Sequence, residues 1–328
     1  LGARTSEHPD REVWQRFPVR RIEDLRNAVL GADLEAMRMA GPALGGSLAF
    51  CAGGGIVLSS GLIQGKVAIR GVPADDAVTL FAGLLLPAGS RLWLEEARDG
   101  DIAVIAPGEE IDTVLPDRCL YRAATLSPER LDVEAGWGAS SLQHGCLRST
   151  GRHSAVLPSQ TLLRLRRQVL KLHTDPSNPG TPERTAEILR QLAGSGFRCR
   201  AAPDASPPGR VPIVRRAREY IHEHIAAPMR LADLAATTQT SPRTLHRAFA
   251  EVLGDTPQGY VRRLRLHRLR HDLFSKGEGP RTIDAAADRW AAGRDHGRLS
   301  ARYRALFGEN PRATLAWRDA RENEIAWL

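Results

Sequence analysis

Lysine is nearly absent from this 328-residue chain: Lys66, Lys171 and Lys276 are the only three, so its 46 basic residues are almost all arginine. The four cysteines, Cys51, Cys119, Cys146 and Cys199, form no Cys-x-x-Cys pair. That excludes a zinc knuckle and argues for reduced structural thiols rather than a disulfide framework. No apolar run approaches the roughly 20 residues that span a bilayer. The N-terminal stretch, with Arg4, Glu7, Asp10, Arg11 and Glu12, lacks the apolar core of a secretory signal. The chain is therefore expected in the cytoplasm, with no membrane partner. Histidine is missing between His8 and His144, and with it the imidazoles that a small β-barrel enzyme would use to hold a metal. No catalytic residue, metal or cofactor is expected.

What is present is unevenly placed. Residues 210–328 carry 22 Lys+Arg against 14 Asp+Glu, which accounts for the whole net charge of +8, whereas residues 1–209 carry 24 of each. A neutral body with a basic C-terminal module points to a polyanion bound by that module, nucleic acid first. A hydrophobic content of 42% excludes a disordered chain. The length suggests about two domains.

Residues 44–126 read as β-structure. Short apolar runs at Gly55–Leu58, Lys66–Ile69, Val78–Phe81 and Ile102–Ile105 alternate with Gly, Pro and Asp turn signals, a pattern of small barrels and sandwiches. Helical spacing takes over near Pro128. From Pro158 onward Leu162, Leu165, Val169, Leu172 and His173 share a face, and Pro182 opens a further helix through Leu192. The Pro-rich stretch 201–210 reads as a linker. The expected organisation is a sensing or dimerisation domain over 1–200, with its barrel near 44–126 and helices near 158–196, followed by the linker and a basic module over 211–328.

In that module Ile213, Ala217, Tyr220, Ile221 and His224 define a first amphipathic helix, with Arg215, Arg216, Arg218, Glu219 and Glu223 assigned to its other face. Leu231, Leu234 and Ala235 mark a short second helix. After the connection Thr238-Gln239-Thr240, Ser241 is an N-cap and Pro242 suits the first helical position. Leu245, Ala248, Phe249, Val252 and Leu253 line one face of this third helix, and Gly254 supplies a left-handed end. Arg243, Thr244, His246, Arg247 and Glu251 face away. Two short helices joined so tightly form a helix-turn-helix, which holds its second helix proud enough to enter a major groove, where Arg hydrogen-bonds guanine edges. Thr256-Pro257 then opens a long helix whose Arg262, Arg263, Arg265, Arg268 and Arg270 read as a basic face. Thr282-Ile283 starts a short helix, and Leu299, Tyr303, Leu306 and Phe307 stripe a last one. The module thus holds two helix-turn-helix candidates joined by one long helix.

These residues resemble the AraC/XylS family of transcriptional regulators. The resemblance rests on Tyr220-Ile221, Leu231–Ala235, Ser241–Phe249, Gly254-Asp255-Thr256-Pro257, Tyr260, Arg265-Leu266, Leu273, Thr282-Ile283, Tyr303, Leu306-Phe307-Gly308 and Pro311. It covers nearly all of residues 213–318. It implies an α+β chain: an N-terminal cupin-like β-barrel with flanking helices, and a C-terminal all-α double helix-turn-helix domain whose recognition helices enter successive major grooves. By position, Ser241, Arg243, Thr244, His246 and Arg247 belong to the first DNA-binding surface, and His296, Arg298, Ser300, Arg302 and Arg304 to the second. Ala291-Ala292-Gly293 and Ala301 depart from the family pattern, so the first lobe is expected to dominate specificity. The resemblance further implies promoter DNA and RNA polymerase as partners, a small-molecule effector and a homodimer.

Other constellations are weaker. His222 and His224 stand about 200° apart on a helix and cannot easily share an ion. Gly53-Gly54-Gly55 lacks the context of a phosphate loop and reads as a strand-connecting turn. The reading is a sequence-specific transcription regulator, an activator under effector control, and not an enzyme. The alternatives are a cupin-type enzyme with a DNA-binding appendage and a non-specific architectural DNA binder.

Overall fold

The computed structural model describes residues 11–39, 41, 43–135, 153–175, 209–275, 282–290 and 296–317. The helix expected at 182–192, most of the linker (201–208), Cys146 and Cys199 lie outside them. The chain divides into two compact units, one of Leu1–Ala36 with Gly41–Ser206, the other of Met37–Ala40 with Pro207–Leu328.

The N-terminal unit is built on two antiparallel sheets. Its strands are β1 (Arg11–Pro18), β2 (Glu35–Arg38), β3 (Gly45–Gly53), β4 (Ile56–Gln64), β5 (Val67–Gly71), β6 (Val78–Leu85), β7 (Arg91–Leu92), β8 (Glu95–Glu96), β9 (Asp101–Ile105), β10 (Ile111–Leu115), β11 (Cys119–Leu126) and β12 (His153–Val156). The larger sheet runs β1-β3-β4-β11-β6-β9-β12 and the smaller β2-β5-β10-β7-β8. All four runs expected as strands are strands. Gly53 pairs with Ile56 across the two-residue turn Gly54-Gly55, whose φ values of 58° and 77° are the left-handed pair that a tight hairpin requires. β-structure extends beyond the expected 44–126 to β1, β2 and β12; β1 alternates Val13, Gln15 and Phe17 outward with a buried Trp14 between them.

Strand alternation sends residues of the larger sheet to two faces. One face carries Ala49, Cys51, Leu58, Leu80, Ala124 and Leu126, covered by Leu131 of α1 (Pro128–Ala135) and Leu172 of α2 (Ser159–Thr174). Leu165 and Val169 of α2 pack on Ala82, Leu84, Ile102 and Leu120 of the same sheet. The end of α2 is fastened by polar contacts. His173 hydrogen-bonds Ser47 Oγ (2.7 Å) through Nδ1 and Ser60 Oγ (2.9 Å) through Nε2, and Arg16 donates to the His173 carbonyl (2.8 Å). Burial, with Arg16 nearby, pushes the imidazole down to about 4, so it is neutral at physiological pH. The opposite face, with Thr79, Phe81, Ile105 and Tyr121, meets Ile69, Leu92, Ile111, Thr113 and Leu115 of the smaller sheet around an apolar cavity of about 30 Å³. Tyr121 crosses the bare backbone of Gly61, where a Cβ would fall 2.4 Å from its ring, and its hydroxyl donates to the Ala28 carbonyl at 2.6 Å.

Among the described residues from 209 onward the C-terminal unit has helices only: α3 (Arg210–Glu223), α4 (Leu231–Thr237), α5 (Pro242–Leu253), α6 (Pro257–Phe274), α7 (Ile283–Arg289) and α8 (His296–Phe307), with a last helical turn at 311–317. A first lobe packs α3, α4 and α5 around buried Val214, Ala217, Ile221, Leu234, Leu245, Phe249 and Tyr260. A second packs the later part of α6 with α7 and α8 through Leu266, Leu269, Leu273, Ala286, Leu299, Tyr303 and Leu306.

Candidate nucleic-acid interface

Helix α5 is fixed at both ends. Ser241 Oγ accepts the Thr244 N–H at 3.1 Å and lies 2.9 Å from Thr244 Oγ1; Pro242 takes the first helical position; Gly254 ends the helix at φ 63°. The connection from α4 is tied by Thr238, whose hydroxyl bonds the Leu234 carbonyl (2.9 Å) and Thr240 Oγ1 (3.1 Å). Gln239, in the middle of this turn, has φ 52°, a left-handed conformation uncommon outside glycine. Nothing in its residue type signals that; only the length of the turn does.

With Leu245, Ala248, Phe249, Val252 and Leu253 buried, 100° per residue places Arg243 and Arg247 within about 30° of the middle of the solvent face. Both are exposed, as are Ser241 and Thr244, while His246 is half-buried on a flank. In α8, Leu299, Tyr303 and Leu306 point inward and Arg298, Ser300, Arg302 and Arg304 are exposed. The same arithmetic puts Ala301 at the middle of that face, with Arg304 about 45° and Arg298 about 75° to its sides. His296 begins α8, but its side chain lies outside the described residues.

Two arginines assigned to solvent faces are instead internal. Arg218 of α3 is 4% exposed; its Nε donates to Tyr260 Oη at 2.9 Å, and His222 Nε2 is 3.0 Å from the same oxygen. Arg270 of α6 is 2% exposed and donates to Glu309 Oε1 (2.7 Å), Tyr303 Oη (3.2 Å) and Thr314 Oγ1 (3.3 Å), with its guanidinium 4.6 Å from the Phe307 ring centre. Arg265 closes onto the Ile225 and Ala227 carbonyls, and Arg263 pairs with Asp255. Of the five arginines read as a basic face of α6, only Arg262 is fully exposed. Periodicity missed this because an arginine stem can be buried when carbonyls, carboxylates and aromatic rings receive its head. His224 stacks on Tyr220 at 4.2 Å. Among the described residues no group of three or more His, Cys, Asp or Glu side chains could hold a metal, and no helix is long and apolar enough to cross a membrane.

Residues 234–316 match the family model described as "Helix-turn-helix domain". The chain is 32% identical over 123 residues to "XylDLEGF operon transcriptional activator 2" of Pseudomonas putida, a match covering 36% of this chain and 77% of that protein. It is 33% identical over 136 residues to "Regulatory protein HrpB" of Ralstonia nicotianae, covering 41% of this chain and 28% of HrpB. The chain thus spans little over a quarter of HrpB. A solved structure titled as a probable AraC family transcriptional regulator from Rhodopseudomonas palustris is 32% identical, and the match covers 32% of this chain and 96% of that one with a TM-score of 0.30.

Proposed function

Because the chain belongs to the AraC/XylS family of transcriptional regulators, we propose that it binds promoter DNA sequence-specifically and activates transcription, its β-rich unit responding to a small-molecule effector. The carrying observation is the solvent face of α5, where Arg243 and Arg247 occupy the middle of a helix capped at both ends. A guanidinium there hydrogen-bonds a guanine edge bidentately; Ser241, Thr244 and His246 flank it towards the backbone. Arg298, Ser300, Arg302 and Arg304, with His296, supply a second contact dominated by phosphates.

The division of labour is a sensing or dimerising domain over 1–200, a linker over 201–210 and a DNA-binding domain over 211–328, with RNA polymerase and a second copy of the chain as protein partners. Relatives bearing the names of regulators support a non-catalytic role. The apolar space between the two sheets supports effector sensing: at about 30 Å³ it holds one or two waters, so an effector there displaces Phe81 or Tyr121 and carries the sheet with it. Such a ligand shifts the population able to engage DNA by its differential affinity for the two states.

Footprinting on intergenic DNA beside the gene, with unrelated DNA as competitor, tests this reading. The expected preference is on the order of a thousandfold or more, with affinity falling steeply with salt, about −0.9 in log-log slope per phosphate contacted. A flat salt response removes DNA as the partner. Equal binding to unrelated DNA leaves an architectural binder instead.

A further inference from the structure

Five large apolar side chains are exposed among the described residues, and all five belong to the β-rich unit: Val13 and Phe17 on β1, Val156 on β12, and Leu163 and Leu170 on α2. Single exposed apolar residues are ordinary on a protein surface, but the pair on α2 is aligned. Leu163 is 58% and Leu170 41% exposed. Seven residues apart, they fall within about 20° of each other around the helix and about 10 Å apart along it. Their stripe faces away from Leu165, Val169 and Leu172, which are buried against the larger sheet.

The charges beside this stripe have one sign. Arg167, Lys171 and Arg164, all exposed, follow it on one side at about 50°, 90° and 110°. On the other side Arg166 is drawn back onto the sheet, donating to Asp99 Oδ2 and the Leu84 carbonyl, each at 2.5 Å. The 16 residues of α2 contain no Asp or Glu, and the first carboxylate in sequence is Asp175 at its C-cap. A helix face meant for water gains from opposite charges three or four residues apart; α2 offers itself none.

We infer that the outer face of α2 docks a partner protein through an acidic amphipathic helix, whose apolar side chains meet Leu163 and Leu170 and whose carboxylates meet Arg167, Lys171 and Arg164. An apolar centre with a charged rim is the anatomy of a protein interface, and anchors seven residues apart suit a helical partner. Charge decides among the occupants. A second copy of α2, laid on the first in either direction, sets cations opposite cations, which opposes association; the second copy proposed above must use another surface. The chain's own residues 176–208 carry Glu183, Glu187 and Asp204 against Arg184, Arg190, Arg198 and Arg200, so they bring no net negative charge. DNA would take the cations and leave both leucines in water.

Fluorescence anisotropy of the full chain with two labelled synthetic helices tests the surface. Both peptides are three heptads long with leucine at positions a and d; one has glutamate and the other lysine at e and g. The Glu peptide binds about tenfold or more tighter than the Lys peptide, and raising salt weakens it. Leu163→Ala with Leu170→Ala weakens the Glu peptide about tenfold or more. Arg167→Glu with Lys171→Glu reverses the order, so that the Lys peptide is preferred, a gain that no folding defect supplies. All four positions are exposed, so both double variants keep the wild-type Tm. The inference fails if neither peptide binds, the face then being covered by the chain itself, or if the Lys peptide binds wild type as well as the Glu peptide does. It fails if the α2 substitutions leave the Glu peptide unaffected while duplex DNA displaces it, because the peptide is then held by the basic module. It fails equally if Leu163→Ala with Leu170→Ala abolishes a dimer seen by sedimentation, which assigns the face to a second copy.

Discussion

The two lobes of the C-terminal unit use one plan to different ends. Each buries an arginine against a tyrosine hydroxyl, Arg218 on Tyr260 and Arg270 on Tyr303, and each aims a helix outward. On α5 the middle of the outward face is arginine; on α8 it is Ala301, with arginines to the sides. A side chain at the middle of a helix lying in a groove meets base edges, and one on the flank meets the phosphate walls. On the proposed function, the first lobe reads and the second grips. A methyl group at the centre of α8 has no hydrogen bond to offer a base, so whatever discrimination it contributes is by contact with a thymine methyl or by exclusion.

The largest effect expected from disturbing this pairing is at Arg270. It is held by the carboxylate of Glu309 as well as by two hydroxyls, and Arg270→Ala takes away the cation that pairs with that carboxylate, leaving it the Thr314 hydroxyl (3.0 Å), itself 2.8 Å from the Tyr303 hydroxyl. A loss of about 3–5 kcal/mol in urea unfolding is expected. The footprint should shorten to the half contacted by α5 while the preferred sequence in that half is kept. Loss of selectivity across the whole site would show that the lobes do not act separately.

Smaller, and sharper in kind, are substitutions on the two outward faces. Arg243→Ala or Arg247→Ala should cost roughly 1–3 kcal/mol against the preferred site and relax preference at one base position. Arg298→Ala or Arg302→Ala should weaken all sequences alike and lower the salt slope by about 0.9 each. Competition binding at several salt concentrations separates the two classes. If Arg298→Ala alters base preference, the second lobe reads as well as grips.

The parts of this division that were legible in the sequence are those set by local rules. Ser241-Pro242 and Thr256-Pro257 mark helix starts because capping needs an oxygen and proline lacks an N–H, and both helices begin there. The apolar stripes of α5 and α8 follow from helical period, so their exposed residues were identifiable too. Arg218 and Arg270 were not, because what buries them is 33 or more residues away in sequence: Arg218 depends on Tyr260, and Arg270 on Tyr303 and Glu309. The burial of Arg122 was hidden for the same reason, since its strand reads as Cys-Leu-Tyr-Arg-Ala-Ala-Thr-Leu and nothing local distinguishes an arginine turned to solvent from one turned inward against Trp14. β12 escaped because four residues, His153–Val156, are too few to show alternation, and they become a strand by pairing with β9.

The smallest expected effect lies in the turn that joins α4 to α5. Gln239 holds φ 52°, where a Cβ crowds the neighbouring carbonyl at a cost of about 1 kcal/mol or more. Gln239→Gly removes that crowding but gives the unfolded chain more freedom, which offsets about 0.4–1 kcal/mol. The net gain should be a few tenths to about 0.5 kcal/mol in urea unfolding, and Gln239→Asn, whose short side chain tolerates the left-handed region, should fall between. Because the backbone bonds from Gln239 N to the Ala236 carbonyl and from Thr240 N to the Ala235 carbonyl are kept, α5 should stay in place and DNA selectivity should not change. A Gln239→Gly variant that is less stable than wild type would mean that the glutamine side chain itself holds the turn, and that the reading lobe depends on more than its caps and its apolar stripe.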